Sequence, residues 1–260
     1  MALQDLLTLS SSRNKIGLSE ERVKSIIPVV RQYVSFWREY PDLFVDFMVG
    51  GDKAPPDGLK LFFYQRVFLR AAMRYKYVYA VFPRAYSKSF LAVLILMIRC
   101  ILYPGAKLFV TSGGKEQASG IMKEKVTEIC QLVPAFAREI DWRRGKTTEG
   151  KDYVHYEFKN GSVLDNLAAR ESSRGKRRHG GLMEECVGID GKILNEVILP
   201  IMNVSRRAAN GEKDDEEVLN KSQIYVTTAG WKNTFAKLIK VIGELKLREP
   251  QNEGVRLIAC

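Results

Sequence analysis

The sequence predicts an α/β fold, in which a mostly parallel sheet is covered by helices on both faces. Short apolar stretches typical of strands alternate with longer stretches of helical period, the pattern of a parallel sheet with crossover helices. The most hydrophobic stretch, residues 88–103, is apolar all round, which indicates a helix buried against that sheet. The 260 residues suffice for one large α/β domain or two small ones.

The N-terminal part of the chain predicts helices rather than strands. Residues 19–40 form the first helix, because Ser19 can cap it, acidic residues follow, and apolar residues recur at spacings of three and four. A second short helix follows, and the breaker-rich sequence GGDKAPPDG at 50–58 predicts a linker. We therefore divide the chain into an N-terminal helical appendage with its linker, residues 1–58, and a core of residues 59–260.

Each element of the core has its own signal. The dipeptide Asn160-Gly161 lies between two alternating stretches and predicts a β-hairpin over residues 153–168. Apolar runs predict further strands at 77–82, 107–112, 180–183 and 223–230. Helical periods predict helices at about 64–75, 88–103, 118–133, 190–209 and 233–247.

Composition limits the classes of protein to which the chain can belong. Hydrophobic residues make up 46% and charged residues 27%, the profile of a soluble globular protein. The N-terminus lacks the features of a secretory signal and no apolar run is long enough to cross a bilayer, so we expect a cytosolic protein without a membrane partner. The four cysteines lie far apart, which predicts neither a zinc site nor a disulfide framework.

The net charge of +11 favours polyanionic partners such as nucleic acid. Basic residues concentrate in two short stretches, and an acidic stretch at 212–217 predicts a solvated loop. The first basic stretch contains Arg170, Arg174, Lys176, Arg177 and Arg178, and the second contains Arg138, Arg143, Arg144 and Lys146.

The segment VFPRAYSKSF, residues 81–90, lies between a predicted strand and the buried helix. A phosphate loop needs backbone amides and a helix N-terminus facing the anion, a lysine for the outer phosphates, and a hydroxyl for magnesium. Lys88 and Ser89 stand in this order at the start of the helix, and Arg84 lies four residues before Lys88. Arg84 and Ser87 replace the two glycines of the full pattern, so the alternative is a Lys-Ser cap on a surface helix.

The sequence RAYSKS at 84–89 resembles the Walker A motif of viral terminase large subunits, a deviant phosphate loop that begins with arginine and ends in Gly-Lys-Ser/Thr. The resemblance covers about residues 60–240 and depends mainly on the order of several motifs. It implies a RecA-like P-loop NTPase core of the ASCE class that binds ATP and Mg²⁺. Loop residues Ala85, Tyr86 and Ser87 then belong to the ATP-binding site.

The resemblance also implies a site for the adenine base upstream of the loop. In LFFYQ, residues 61–65, Gln65 matches the family's adenine-contacting glutamine, and Tyr64 is its stacking neighbour. The alternative for Gln65 is an exposed residue at a helix start.

Two adjacent carboxylates, Glu184 and Glu185 in HGGLMEECVG (179–188), occupy the place of the family's Walker B motif. ATP hydrolysis needs one carboxylate near magnesium and another that orients the attacking water. By resemblance, Glu184 takes the magnesium role together with Ser89, and Glu185 takes the catalytic role. The family usually has aspartate where Glu184 stands, and a surface Glu-Glu pair is the alternative.

The basic sequence ARESSRGKRRHGG at 169–181 is similar to the family's arginine-rich segment. The resemblance implies that Arg174 is an arginine finger for the γ-phosphate of a neighbouring subunit, with Arg170 and Arg178 as the next candidates. Contact with the DNA backbone is the competing interpretation. Arg84 is implied as a sensor of the γ-phosphate in its own subunit.

The sequence YVTTAG at 225–230 resembles the coupling motif that follows the carboxylates in helicase-like motors. Thr227, Thr228 and Gly230 carry this assignment, and the alternative is a strand that ends in a glycine turn.

Together, the ordered motifs imply a Mg²⁺-dependent ATPase motor that moves double-stranded DNA into a viral or bacteriophage procapsid. The implied partners are a ring of five copies on a portal and a small terminase subunit, all in the host cytoplasm. The family normally continues into a nuclease domain, and no candidate aspartate cluster follows residue 250, so no nuclease activity is expected. The alternatives are a helicase-like DNA-dependent ATPase and a catalytically inactive DNA-binding module.

Overall fold

The computed structural model describes residues 20–207, 217–228 and 255–259. Short 3₁₀ turns lie at Gly51–Lys53, Glu171–Ser173 and Cys186–Gly188. The helices are, in chain order, α1 (Glu20–Glu39), α2 (Pro41–Val49), α3 (Phe63–Arg74), α4 (Lys88–Leu102), α5 (Lys115–Leu132), α6 (Pro134–Glu139) and α7 (residues 191–201), whose middle turn is a π-helix. Among the described residues, every helix is too short or too polar to span a bilayer.

A single sheet of eight strands runs through the described part of the molecule, in the order β3-β4-β5-β2-β6-β7-β1-β8. Pairing is parallel from β5 to β8 and antiparallel only at the β3-β4-β5 edge. The predicted RecA-like fold with a mostly parallel sheet is thus confirmed. The strands are β1 (Tyr77–Phe82), β2 (Lys107–Thr111), β3 (Thr148–Glu149), β4 (Val154–Glu157), β5 (Val163–Asn166), β6 (Gly180–Glu184), β7 (Ser222–Thr228) and β8 (Val255–Ala259).

Helix α4 forms the centre of the larger hydrophobic core. All its residues from Phe90 to Leu102 are buried, between the sheet and its neighbours α3 and α5. Helices α1 to α6 contribute to this same core, which lies on one face of the sheet. A smaller core on the other face is covered by α7. The all-round hydrophobicity of α4 therefore reflects burial on all sides.

Two glycines in β6 allow the sheet to pack closely around that strand. A Cβ atom at Gly181 would lie 2.3 Å from the ring of Phe109, and one at Gly180 would lie 2.2 Å from Ser222 Oγ. Real side chains do not approach this closely, so both positions require glycine. The glycines are thus compatible with a central buried strand that ends at Glu184.

Most predicted elements match the structure to within a few residues. The structure confirms the first predicted helix, strands β1 and β7, helix α4, and the hairpin around Asn160-Gly161. The predicted helix at 190–209 ends at residue 201, and the sequence patterns missed α6, β3 and β8.

Three predicted features lie outside the described residues: the helix at 233–247, Gly230, and the acidic loop apart from Glu217. The appendage helices α1 and α2 share the core of the sheet, and the division at residue 58 stays a prediction.

Candidate active site

The loop between β1 and α4, which we call the phosphate loop after the motif that it was predicted to form, contains two non-glycine residues with positive φ. Ala85 has φ of 66° and Ser87 has φ of 51°, both in the left-handed region that favours glycine. Helix α4 begins immediately afterwards at Lys88. Its first N–H groups have no acceptors within the helix, so they present partial positive charge to the loop. A strained loop at a helix N-terminus is a suitable anion-binding site.

The strand order brings Lys88 to the two candidate carboxylates. Strand β7 lies between β1 and β6, so the carboxyl ends of all three strands meet beside the start of α4. Lys88 Nζ forms an ion pair with Glu185 Oε1 and lies 3.5 Å from Glu184 Oε1. It also lies 3.2 Å from Thr228 Oγ1 at the end of β7. The Lys88 ammonium group therefore lies close to residues from two other segments, the ends of β6 and β7, that are far from it in sequence.

Glu184 is a buried carboxylate, and one of its two oxygens has no hydrogen-bond partner among the described residues. The hydroxyl of Ser89 donates to its Oε1 at 2.5 Å, and the residue is only 1% exposed. Its Oε2 is buried and has no hydrogen-bond partner among the described residues. Burial is the largest influence on this carboxyl and raises its pKa, despite the hydrogen bond from Ser89 and the charge of Lys88. A buried, unpartnered carboxylate oxygen beside a serine hydroxyl fits a hard cation such as Mg²⁺.

Glu185 has the opposite electrostatic environment. The hydroxyl of Thr228 donates to its Oε1 at 2.8 Å, and the hydroxyl of Thr227 donates to its Oε2 at 3.3 Å. Burial opposes ionisation of Glu185, but the hydrogen bonds from Lys88 and Thr228 outweigh burial and lower its pKa. Its side chain remains 39% exposed, and its backbone is left-handed, with φ of 47°. It is thus an ionised, oriented carboxylate that solvent can reach.

A pocket of about 380 Å³ opens above the loop. It is lined by Arg84, Lys88, Ser89 and Thr228, and also by Lys125 and Glu128 of α5. Arg84 is exposed and has no hydrogen-bond or ion-pair partner within the described chain. Lys125 pairs with Glu124 at 2.7 Å and with Glu128 at 2.9 Å. The sequence patterns missed both α5 residues, because an i,i+3 ion pair on a helix is an ordinary surface feature.

Gln65 and the aromatic residues around it lie beside the loop. Gln65 is only 5% exposed and its Oε1 accepts the Phe62 N–H at 2.8 Å, so the expectation of an exposed helix-start residue does not describe it. The Tyr64 ring lies 5.5 Å from the ring of Tyr86, in the phosphate loop itself. Phe62 stacks on Tyr64, with the two ring centroids 6.1 Å apart. These rings form a partly exposed aromatic surface adjoining the loop.

The arginine-rich segment lies away from Lys88. Arg174 lines a separate pocket with residues of α7, which covers the opposite face of the sheet from α4. It is paired with Glu171 at 2.9 Å and is 59% exposed. Arg178 pairs with the buried Asp165, and Arg170 is exposed. None of the three arginines is among the described residues that line the pocket above the phosphate loop.

The structure resembles solved phage large terminases. It matches the HK97 bacteriophage large terminase with a TM-score of 0.59 and 13% sequence identity, over 85% of this chain and 43% of that one. The Thermus phage P74-26 large terminase ATPase domain matches with a TM-score of 0.45 and 15% identity, over 79% of this chain and 92% of that one. The large terminase of another thermophilic bacteriophage matches with a TM-score of 0.49 and 9% identity, over 77% and 46% of the two chains.

The comparison with the HK97 protein, at a TM-score of 0.59, shows the fold. The match to the HK97 protein shows that the chain shares the fold of a phage large terminase, although it spans less than half the length of that protein. No protein-family model and no curated sequence matches the chain.

Proposed function

We propose that this chain is the ATP-hydrolysing motor part of a viral or bacteriophage DNA-packaging terminase large subunit. The proposal rests on one observation: the Lys88 ammonium, the Ser89 hydroxyl and two carboxylates with opposite pKa shifts meet at the N-terminus of α4. The fold shared with the HK97 large terminase supports the proposal.

Each of these groups has a role in phosphoryl transfer. Lys88 and the free N–H groups of α4 hold the outer phosphates of ATP, because both present positive charge to the loop. Glu185 accepts a hydrogen bond from the attacking water and orients it toward the γ-phosphate, since it is ionised and solvent can reach it. Arg84, exposed at the rim of the pocket, senses the γ-phosphate from the same chain.

Ser89 and Glu184 hold Mg²⁺ in this proposal. The buried Glu184 Oε2 lacks a hydrogen-bond partner among the described residues, and a cation there would supply one. When bound, the ion neutralises charge on the phosphates and lowers the barrier to transfer. Glutamate in place of the family's usual aspartate still reaches the Ser89 hydroxyl.

The remaining assignments concern the base, the coupling of nucleotide state, and the neighbouring subunit. Gln65 and Tyr64 hold the adenine, and Thr227 and Thr228 transmit the state of Glu185 through their hydrogen bonds to it. Gly230 completes the coupling motif but lies outside the described residues. Arg174 is exposed and lies away from its own phosphate loop, as a finger that acts on another subunit would.

The proposed assembly is a ring of five copies on the portal of a procapsid, in the host cytoplasm. The ring works with a small terminase subunit and moves double-stranded DNA, without nuclease activity in this chain.

The central test compares Mg²⁺-ATP turnover by the wild type, Glu185→Gln and Glu128→Gln. Loss of the water-orienting carboxylate is expected to reduce turnover by about 10²- to 10⁴-fold while binding of a fluorescent ATP analogue persists. Glu128→Gln is the matched control, because it neutralises a carboxylate that lines the pocket together with Lys88 and Thr228, the two residues that contact Glu185. Absence of turnover in the wild type, with or without DNA, would reject the motor and favour an inactive DNA-binding module.

A further inference from the structure

A concave basic surface lies on the face of the sheet covered by α7. We call it the basic groove and define it by the exposed cations Lys176, Arg177 and Arg207; Arg174, Asn203 and Ser205 also line it. Its volume is about 680 Å³. The groove brings the first basic stretch together with Arg207, which comes about 30 residues later, so its charge density exceeds that of either segment alone.

The three cations that define the basic groove have no side-chain partner among the residues that the structure describes. Lys176, Arg177 and Arg207 are exposed, and no hydrogen bond or ion pair of their side chains exists within the described chain. Arg174 shares its charge with Glu171, and Glu196 is the one acidic residue among the described lining. Closely spaced cations repel one another, so an arrangement of this kind favours an anionic ligand.

Two buried ion pairs fix the backbone that presents these cations. Arg178, next to Arg177, pairs with Asp165, and Arg206, next to Arg207, pairs with Glu217. In each case one arginine points inward and anchors the segment while its neighbour lies in the basic groove. Bidentate arginine–carboxylate pairs are geometrically specific, so they hold the exposed cations in place before a ligand arrives.

We propose that the basic groove binds the phosphate backbone of double-stranded DNA. No aromatic side chain is among the described lining residues, so the groove offers no surface on which unpaired bases could stack. Its guanidinium, ammonium, amide and hydroxyl donors are those that contact phosphate oxygens without reading base sequence. The inference rests on the proposed function, because that proposal makes duplex DNA the substrate.

The test measures binding of a fluorescent duplex of about 30 base pairs by anisotropy, at salt concentrations between about 50 and 200 mM. The groove variant Lys176→Ala/Arg177→Ala/Arg207→Ala removes three cations and leaves Arg174 in place. The control Arg138→Ala/Arg144→Ala/Lys159→Ala also removes two arginines and one lysine, all exposed, near the antiparallel edge of the sheet.

The groove variant is expected to lose about 100-fold in affinity near 100 mM salt, and its salt slope should fall by about 3, since each phosphate contact contributes about 0.9. The loss should be the same for AT-rich and GC-rich duplexes. The control variant should keep the wild-type slope. Equal losses in both variants would show a net-charge effect and overturn the proposal, as would unchanged binding by the groove variant.

ATP turnover without DNA separates this inference from the proposed function. The groove variant should retain the basal rate of the wild type, because none of its three substituted residues lies at the phosphate loop. Loss of basal turnover with DNA binding intact would mean that the groove serves a neighbouring subunit's nucleotide, which overturns the inference. A wild type that binds DNA through the groove but hydrolyses no ATP would contradict the motor alone.

Discussion

The phosphate-loop site and the basic groove both concentrate charge, but they neutralise it differently. At the phosphate loop, Lys88 is paired with Glu185 and lies near Glu184, and its side chain is only 13% exposed. In the basic groove, Lys176, Arg177 and Arg207 are exposed, and Glu196 is the one acidic residue among the described lining. The phosphate-loop site lies at the carboxyl ends of β1, β6 and β7. The basic groove lies on the face of the sheet that α7 covers.

This difference indicates what each region can respond to. Internally paired, buried charges are poorly screened by salt, so the phosphate-loop site should respond to pH and to nucleotide with Mg²⁺. Exposed cations without partners contribute little to stability, so the groove should respond to salt and to polyanions. Substitutions of the same chemical kind in the two regions should therefore have different consequences.

The largest contrast is expected from replacing a lysine with methionine in each region. Lys88→Met should weaken binding of an ATP analogue by at least about 100-fold, or roughly 2.7 kcal/mol. The variant loses the ammonium group and leaves Glu184 and Glu185 to repel both each other and the triphosphate. Lys176→Met makes the same change in charge in the basic groove and should alter nucleotide affinity less than twofold. Titration by fluorescence measures both, and equal losses would show that the two regions are not separate sites.

Local chain features made it predictable that Lys88 lies beside Glu184 and Glu185. Lys88 and Ser89 follow a strand and begin a buried helix, and Glu184 and Glu185 end a strand, so their order along the chain was informative. Parallel strands place their carboxyl ends on one edge, which brings these segments together once the fold is known. Lys125 could not be assigned in this way, because its place in the pocket depends on how α5 docks against α4.

The basic groove depends more heavily on tertiary structure. The clustering of Arg174 to Arg178 is visible in the sequence, but the addition of Arg207 is not. The sequence also does not show whether an arginine faces the solvent or the interior. Arg177 is exposed, whereas its neighbour Arg178 pairs with the buried Asp165. Strand β8 was missed although it has 5 residues, as many as β2 and β6, which were predicted.

A smaller effect is expected from removing the charge of Glu184. Its pKa is raised above the ordinary value of 4.5, so the stability that it contributes is present below that value and is lost as pH rises through the raised pKa. Glu184→Gln should therefore stabilise the nucleotide-free protein at pH 8, by about 1 kcal/mol or roughly 2–4 °C in Tm, and by less at pH 4. Thermal unfolding at both pH values measures the change.

Two comparisons sharpen this prediction. Glu185→Gln should lower Tm at pH 8. The pKa of Glu185 is lowered, so this carboxylate contributes stability above pH 4.5, and that stability is lost as pH falls through the lowered pKa. Glu196→Gln, at the basic groove, should stay within about 0.5 kcal/mol at both pH values. The added stability that Mg²⁺-ATP gives the wild type should be smaller in Glu184→Gln, since the metal requires the ionised carboxylate. Destabilisation of the nucleotide-free Glu184→Gln protein at pH 8 would contradict the assigned burial effect.

The smallest contrast concerns the backbone of the two regions. The phosphate loop places Ser87 at φ of 51°, whereas the segment of the basic groove has Gly175 at φ of 86°. A non-glycine residue in the left-handed region costs about 1 kcal/mol, and glycine avoids most of that cost. Ser87→Gly should therefore stabilise the protein by about 0.5 kcal/mol, after allowance for the greater entropy of glycine in the unfolded chain. Gly175→Ala should destabilise it by about 1 kcal/mol, and no atom lies within 4 Å of the added Cβ, so the whole cost is conformational. Urea unfolding measures both changes. A stabilising Gly175→Ala together with a destabilising Ser87→Gly would show that the strain assigned to the phosphate loop is absent, and the physical distinction between the two segments would fail.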